Sequence, residues 1–114
     1  MPIDASRLGE KCKSLYEVNV NMLSQIPVKL DKIEKKFLDC EILRVAIIAE
    51  LDAINLYEQL AAATTKENIR KVLLEVAKEE KTHVGEFHAL LLREDAEQLE
   101  ELEKGKREVE EGTK

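Results

Sequence analysis

Apolar residues recur along this chain at steps of three and four, the spacing that lays them on one side of an α-helix. From about Asp4 to Gln25 the stripe is Leu8, Cys12, Leu15, Val18, Met22 and Ile26. Pro27 ends it, because proline lacks the backbone donor that a helix interior needs. A short stripe of Leu30, Ile33 and Phe37 starts near Lys29 and leads into the next helix. A second long helix is predicted from about Asp39 to Ala63, with Leu43, Ile47, Glu50, Ile54, Tyr57 and Ala61 on one face. A third, from about Thr65 to Arg93, carries Ile69, Leu73, Val76, Glu80, Val84, Phe87 and Leu91. Thr64 followed by Glu67 reads as a capping box, in which hydroxyl and carboxylate each satisfy a free backbone N–H. That places a tight turn near Ala63–Thr65. Asp95 with Gln98 looks like another helix start, opening a weakly amphipathic segment with Ala96, Leu99, Leu102 and Val109. The closing EEGTK is expected to fray. The pattern predicts one all-α domain over residues 1–114: an antiparallel two-helix hairpin at about 39–93, with accessory helices at about 4–26 and 95–111.

Composition narrows the function classes. The chain has 114 residues, 24 acidic and 18 basic, for a net charge of −6 with neutral histidines. A nucleic-acid binder needs a basic stripe to displace counterions from phosphates, and none is visible. The run Val45–Ala49 is far short of the roughly 20 apolar residues that span a bilayer. The opening MPIDASRLGEKC has no apolar signal region, so the expected setting is cytoplasmic. There Cys12 and Cys40, which form no C-x-x-C pair, are read as reduced, half-buried thiols.

Two residues break the apolar stripes: Glu50 on one helix and Glu80 on the other. His83, three residues after Glu80, shares its face. A buried unpaired carboxylate costs several kcal/mol, so a carboxylate inside an apolar stripe needs a partner. The turn supplies one. Glu50 lies 15 residues before Thr65 and Glu80 lies 15 after it. An antiparallel fold about that turn therefore brings both to one height, roughly 22 Å from the turn at 1.5 Å per residue. Two carboxylates and an imidazole form a hard-to-borderline donor set that suits iron or manganese. Tyr57 reads most simply as a core aromatic, whose hydroxyl needs a partner such as a metal-bound carboxylate. His88 has no acidic partner at helical spacing within the stripe and reads as a flank residue. Glu58, Glu79 and Glu86 read as solvated.

Di-iron carboxylate bundles take a Glu from each of two helices and a Glu-x-x-His from each of the other two. This chain supplies one of each, half a site, since Gly85 stands three residues before His88. Two copies about a twofold axis would complete the set. A structural helical oligomer, with the same residues as a buried hydrogen-bond network, remains an alternative.

The segments IIAELDAINLYEQ (Ile47–Gln59) and EEKTHVGEF (Glu79–Phe87), with their spacing of 30 between Glu50 and Glu80, resemble the encapsulated ferritin family. The resemblance covers roughly Ile42–Leu92, and the run Glu-Leu-Asp-Ala-Ile-x-x-Tyr from Glu50 is its most specific part. It implies a ferritin-like four-helix bundle formed across a dimer interface, dimers that can close into a decameric ring, and residence inside an encapsulin nanocompartment. It implies a ferroxidase with two iron ions per dimer, held by Glu50, Glu80 and His83, with Tyr57 beside the centre. A homodimer and an encapsulin shell protein are the implied partners, with no nucleic acid and no membrane. A rubrerythrin-like peroxide reductase is the other chemistry of the same class, but the chain carries no C-x-x-C rubredoxin module. The chain departs from the family pattern at Ala49 and Asp52, where acidic residues often flank the first ligand and attract metal. It departs again at Leu56, where an aromatic residue often stands, and at EEGTK, where cargo members carry an apolar targeting peptide.

Overall fold

A computed structural model describes residues 29–113. The first amphipathic stripe, from about Asp4 to Gln25, and Cys12 lie outside them. Two short 3-10 turns, Leu30–Lys32 and Lys35–Phe37, lead into three helices: α1 (Leu38–Ala63), α2 (Glu67–Glu94) and α3 (Ala96–Gly112). Helices α1 and α2 pack against each other as the expected antiparallel hairpin.

Helix α1 begins with Asp39 and Glu41 in its first turn, where carboxylates complement the positive end of the helix dipole. It ends at Thr64, whose backbone is extended. The turn differs from a capping box. Helix α2 starts two residues later than expected, its N-cap position is Lys66, and no side chain caps it. The Thr64 hydroxyl instead accepts from the Lys66 amide at 3.2 Å. Arg70 takes over the stabilising role. Its guanidinium donates to the carbonyls of Ala61 (3.2 Å) and Thr64 (2.9 Å) and to the Glu67 carboxylate (2.9 Å). Those carbonyls belong to the last turn of α1, which has no intrahelical partners for them. One side chain on α2 thus closes the end of α1. Glu67 is drawn to Arg70 rather than back to the helix start.

The seam between α1 and α2 buries Cys40, Ile54, Ala61, Ala77 and Leu91. Ala61 and Ala77 are each 2% exposed and permit close approach of the helices. Among the described residues no large side chain is fully buried, since two helices alone cannot enclose one. The sequence expectation of half-buried thiols is corrected at Cys40, which is buried as a small hydrophobe.

Asp95 is the joint between α2 and α3. Its backbone is extended, and its side chain caps α3 by accepting from the Gln98 amide at 3.0 Å, the start that Asp95 with Gln98 predicts. Arg44 on α1 donates to the same carboxylate at 2.7 Å and lies 3.8 Å from Glu41. The Gln98 amide above all holds the Asp95 carboxyl below its ordinary value of 3.8; loss of solvent opposes it, and the Arg44 guanidinium adds to the lowering. Helix α3 runs on through Gly112, so most of EEGTK is helical rather than frayed.

The molecule measures 48 × 43 × 21 Å. Its 28-residue α2 accounts for about 42 Å in one direction, so α3 stands out from the hairpin to make the second. The radius of gyration is 17.8 Å, against roughly 12–13 Å for a compact globule of similar length. The accessible surface of 9160 Å² also exceeds the about 6,300 Å² of a compact monomer of this mass. Among the described residues, much apolar surface is left exposed.

Two outcomes are expected. Ala77→Leu should lower the unfolding free energy by about 1–3 kcal/mol through overpacking of the seam, measured in urea. Asp95 has a lowered pKa, so its contribution is complete above the unfolded value of 3.8 and lost as pH falls through the folded one. The melting-temperature gap between the parent and Asp95→Asn should therefore be constant near neutrality and close as the pH drops below about 4.

Candidate metal centre

Glu50 stands in the middle of α1 and Glu80 in the middle of α2, and the hairpin brings them level. His83 lies one turn along α2. Its Nδ1 is 3.3 Å from Glu80 Oε2 and 3.6 Å from Glu50 Oε2. With the proton on Nδ1 the ring donates to Glu80, the shorter of the two contacts. The two glutamate side chains are about a fifth exposed or less, at 20% and 17%, while His83 is 41% exposed. Both carboxylates face inward from the seam, and the imidazole forms its rim.

Among the described residues, these three are the group of His, Cys, Asp and Glu side chains whose ligand atoms converge, all within 4.8 Å of one another. Atoms bound to one cation at about 2.1 Å lie roughly 3–4 Å apart, so a small closure would seat them on an ion. Glu50 Oε2 is buried and has no hydrogen-bond partner. A buried acceptor without a donor carries its full desolvation cost, about 1–3 kcal/mol or more when charged. A divalent cation would satisfy it. The donor set and this orphaned oxygen both fit a hard or borderline metal.

The other residues singled out by the sequence fall elsewhere. Tyr57 sits on α1 two turns from Glu50 towards the hairpin turn, half-buried and about 10 Å along the helix axis. His88 is half-buried and outside the cluster. Glu79 and Glu86 are exposed, as expected of solvated residues. Glu58 is exposed too, and it pairs with Lys81 at 3.2 Å across the hairpin. Two residues that hold the frame are invisible to stripe counting, because stripes record apolar positions. They are Arg70, which closes the turn, and Arg44, which reaches Asp95. An arginine in the first turn of a helix that follows another helix end is the available signal for Arg70.

His83 opens onto an uncovered apolar line. Ile69, Val76, His83 and Leu90 recur every seven residues, and Ile69, Leu90 and the neighbouring Val72 (62%) are exposed. Ile42 and Ala49, also exposed, follow the same heptad step on α1. The cluster therefore sits at the edge of a face that resembles half of a helical-bundle seam.

A family model described as EncFtn-like matches residues 25–107. A ferritin-like-encapsulin shell fusion protein of Pyrococcus furiosus is 67% identical over 73 residues, which cover 64% of this chain and 21% of that protein. The encapsulin nanocompartment cargo protein EncC of Myxococcus xanthus is 41% identical over 69 residues, covering 58% of this chain and 53% of that one. The matched segments thus span about a fifth and about half of the lengths of these two curated relatives. The crystal structure of the encapsulated ferritin domain from Pyrococcus furiosus is similar with a TM-score of 0.69 and 59% identity. That match covers 80% of this chain and 95% of the crystallised one. Among the described residues no helix is long and apolar enough to cross a membrane.

Glu50→Gln removes a charge that the metal-free seam does not compensate. In chelator-treated protein this variant should melt no lower than the parent, and up to about 1–3 kcal/mol of stability is available to it. A saturating divalent cation should raise the melting point of the parent, by about 2.7 kcal/mol equivalent at a hundredfold excess over Kd. The variant should lose most of that rise.

Proposed function

The chain belongs to the EncFtn-like family, and on that premise we propose that it is a ferroxidase whose two-iron centre is shared between two subunits. Fe(II) is the substrate and dioxygen the electron acceptor. The observation that carries the reading is the convergence of Glu50, Glu80 and His83, with one buried carboxylate oxygen left without a donor. Three protein ligands are too few to hold a pair of ions, and the second set comes from a twofold-related copy. The exposed heptad line through His83 is the surface on which that copy would pack.

Each residue has a role that follows from its position. Glu50 and Glu80 supply negative charge at low solvent exposure, where attraction for a dication is less screened than in water. Glu80, beside His83 on its own helix and across the seam from Glu50, would be the carboxylate shared by two ions. His83 offers the nitrogen donor at the rim, next to the twofold-related copy. Tyr57, on the same line of α1 as Glu50, is proposed as the aromatic beside the centre. When bound, paired Fe(II) ions supply two electrons to one dioxygen, one from each ion. The released Fe(III) needs a container, which a hairpin of two helices does not build alone. We assign that role to an encapsulin shell, by analogy with the Pyrococcus furiosus and Myxococcus xanthus relatives. Dimers closing into a ring of five are part of the same proposal, as is a cytoplasmic compartment.

An anaerobic Fe(II) titration followed by native mass spectrometry tests the shared site. The expected result is one iron per chain, found in even-numbered assemblies. Two irons per chain would move the centre inside the monomer, and no iron with intact assemblies would favour a structural Glu/His network. Glu50→Ala and His83→Ala should each slow Fe(II) oxidation at least about tenfold, read by the absorbance of the ferric product.

A further inference from the structure

The apolar line through His83 has a candidate cover within the chain itself. Ile69, Val76, His83 and Leu90 recur every seven residues on α2, and His83 is the polar member of that set. Ile69, Leu90 and, on the neighbouring helix, Ile42 are 43–46% exposed. The sequence ahead of the described residues repeats the pattern. Leu8, Leu15 and Met22 stand seven apart, and so do Ala5, Cys12, Asn19 and Ile26, offset from them by three. These are the a and d positions of a heptad repeat, and Asn19 is the polar member.

Length and attachment fit as well. As helix, Leu8 to Ile26 makes about 27 Å, and Ile69 to Leu90 makes about 32 Å. The segment joins the described chain at Lys29, and the turn Leu30–Lys32 touches α1. Beside the start of α1 a groove of about 220 Å³ opens, lined by Asp39, Ile42, Leu43, Leu90 and Glu94. Ile26 is four residues from Leu30, a reach of up to about 13 Å. The EncFtn-like match begins at residue 25, so the segment lies almost wholly outside it.

We propose that residues 4–26 form a helix that lies on the His83 face of its own hairpin in the metal-free chain. Ile26 fills the groove beside Leu90, and the helix runs antiparallel to α1. The register then follows by counting. Asn19, seven residues before Ile26, comes level with His83, and Cys12 comes level with Val76. The polar member of each line meets the other, as a lone polar residue in a heptad seam does when it fixes register. The His83 Nδ1 faces Glu80 at 3.3 Å, which leaves Nε2 to accept from the Asn19 amide. Resting on the shared-centre reading above, the segment and a second copy claim one surface, so metal loading displaces the segment. Dimer formation thereby waits on metal.

The full-length variant V76C tests this register, since cysteines whose Cα atoms stand within about 7 Å can form a disulfide with Cys12. Lys78 lies on the far side of α2 at nearly the same height, so K78C is the control. Oxidised glutathione is the oxidant, circular dichroism reads folding, and peptide mass mapping identifies every pair, the buried Cys40 included. In metal-free protein a bridge from Cys12 to the new thiol should form within one V76C chain at least about tenfold faster than in K78C. Saturating Mn(II), with dimers counted by native mass spectrometry, should slow that bridge by a similar factor. Equal rates in V76C and K78C overturn the docking, as does a bridge that joins two chains. An undiminished rate in Mn(II)-loaded dimers overturns the displacement. If Mn(II) yields no dimer, the shared-centre reading fails instead, and the metal-free rates still decide the docking.

Discussion

Two carboxylates held level inside an apolar seam are the constraint around which this molecule is arranged. Glu50 and Glu80 occupy positions that a two-helix hairpin reserves for apolar side chains, and among the described residues His83 approaches both. Keeping them level requires equal arms about a fixed turn and a close helix approach. Arg70 fixes the turn by holding the last carbonyls of α1, and Ala61 and Ala77 let the helices come together on the closed side. The carboxylates remain an incomplete arrangement, since one oxygen of Glu50 is buried without a donor. A bound cation would resolve that deficit, and a merely structural network would leave it in place.

The same economy governs the rest of the fold. A hairpin of two helices and a third that stands apart cannot enclose a core, and the accessible surface of 9160 Å² reflects it. Apolar lines remain on both sides of the hairpin and along α3. Their chemistry differs. The line through His83 adjoins the candidate metal ligands and has the exposed Glu79 and Glu86 beside it, whereas Lys71, Lys78 and Lys81 stand on the other side of α2. Among the described residues burial is thus incomplete on both sides of the hairpin.

Membership of the EncFtn-like family agrees with this physical picture. The similarity to the crystallised Pyrococcus furiosus domain, at a TM-score of 0.69, extends over nearly all of that domain. The segments shared with the two curated relatives cover only part of those proteins, so what each does as a whole includes regions with no counterpart in the matched segments. The convergence of Glu50, Glu80 and His83, by contrast, belongs to this chain and stands on its own geometry.

The helical period alone located the hairpin helices to within a residue or two at all four of their ends, because burying one face of a helix enforces a regular apolar spacing. It also marked Glu50, Glu80 and His83, since a charge in an apolar stripe is conspicuous and equal distances from a turn translate into equal heights. The Asp95 start of α3 was legible for a local reason: capping is a contact between residues three apart. Other features depended on the tertiary structure. Thr64 and Glu67 form a plausible capping box in sequence, yet Arg70 competes for Glu67 and for the carbonyls of the turn, and that competition exists only once α1 has ended beside α2. Arg44 meets Asp95 across 51 positions of chain, a distance no local pattern encodes. The orphaned oxygen of Glu50 was likewise decided in three dimensions, because whether a carboxylate finds a donor depends on what the opposite helix presents to it. Spacing determined which residues share a face; only packing determined which of them were left unsatisfied.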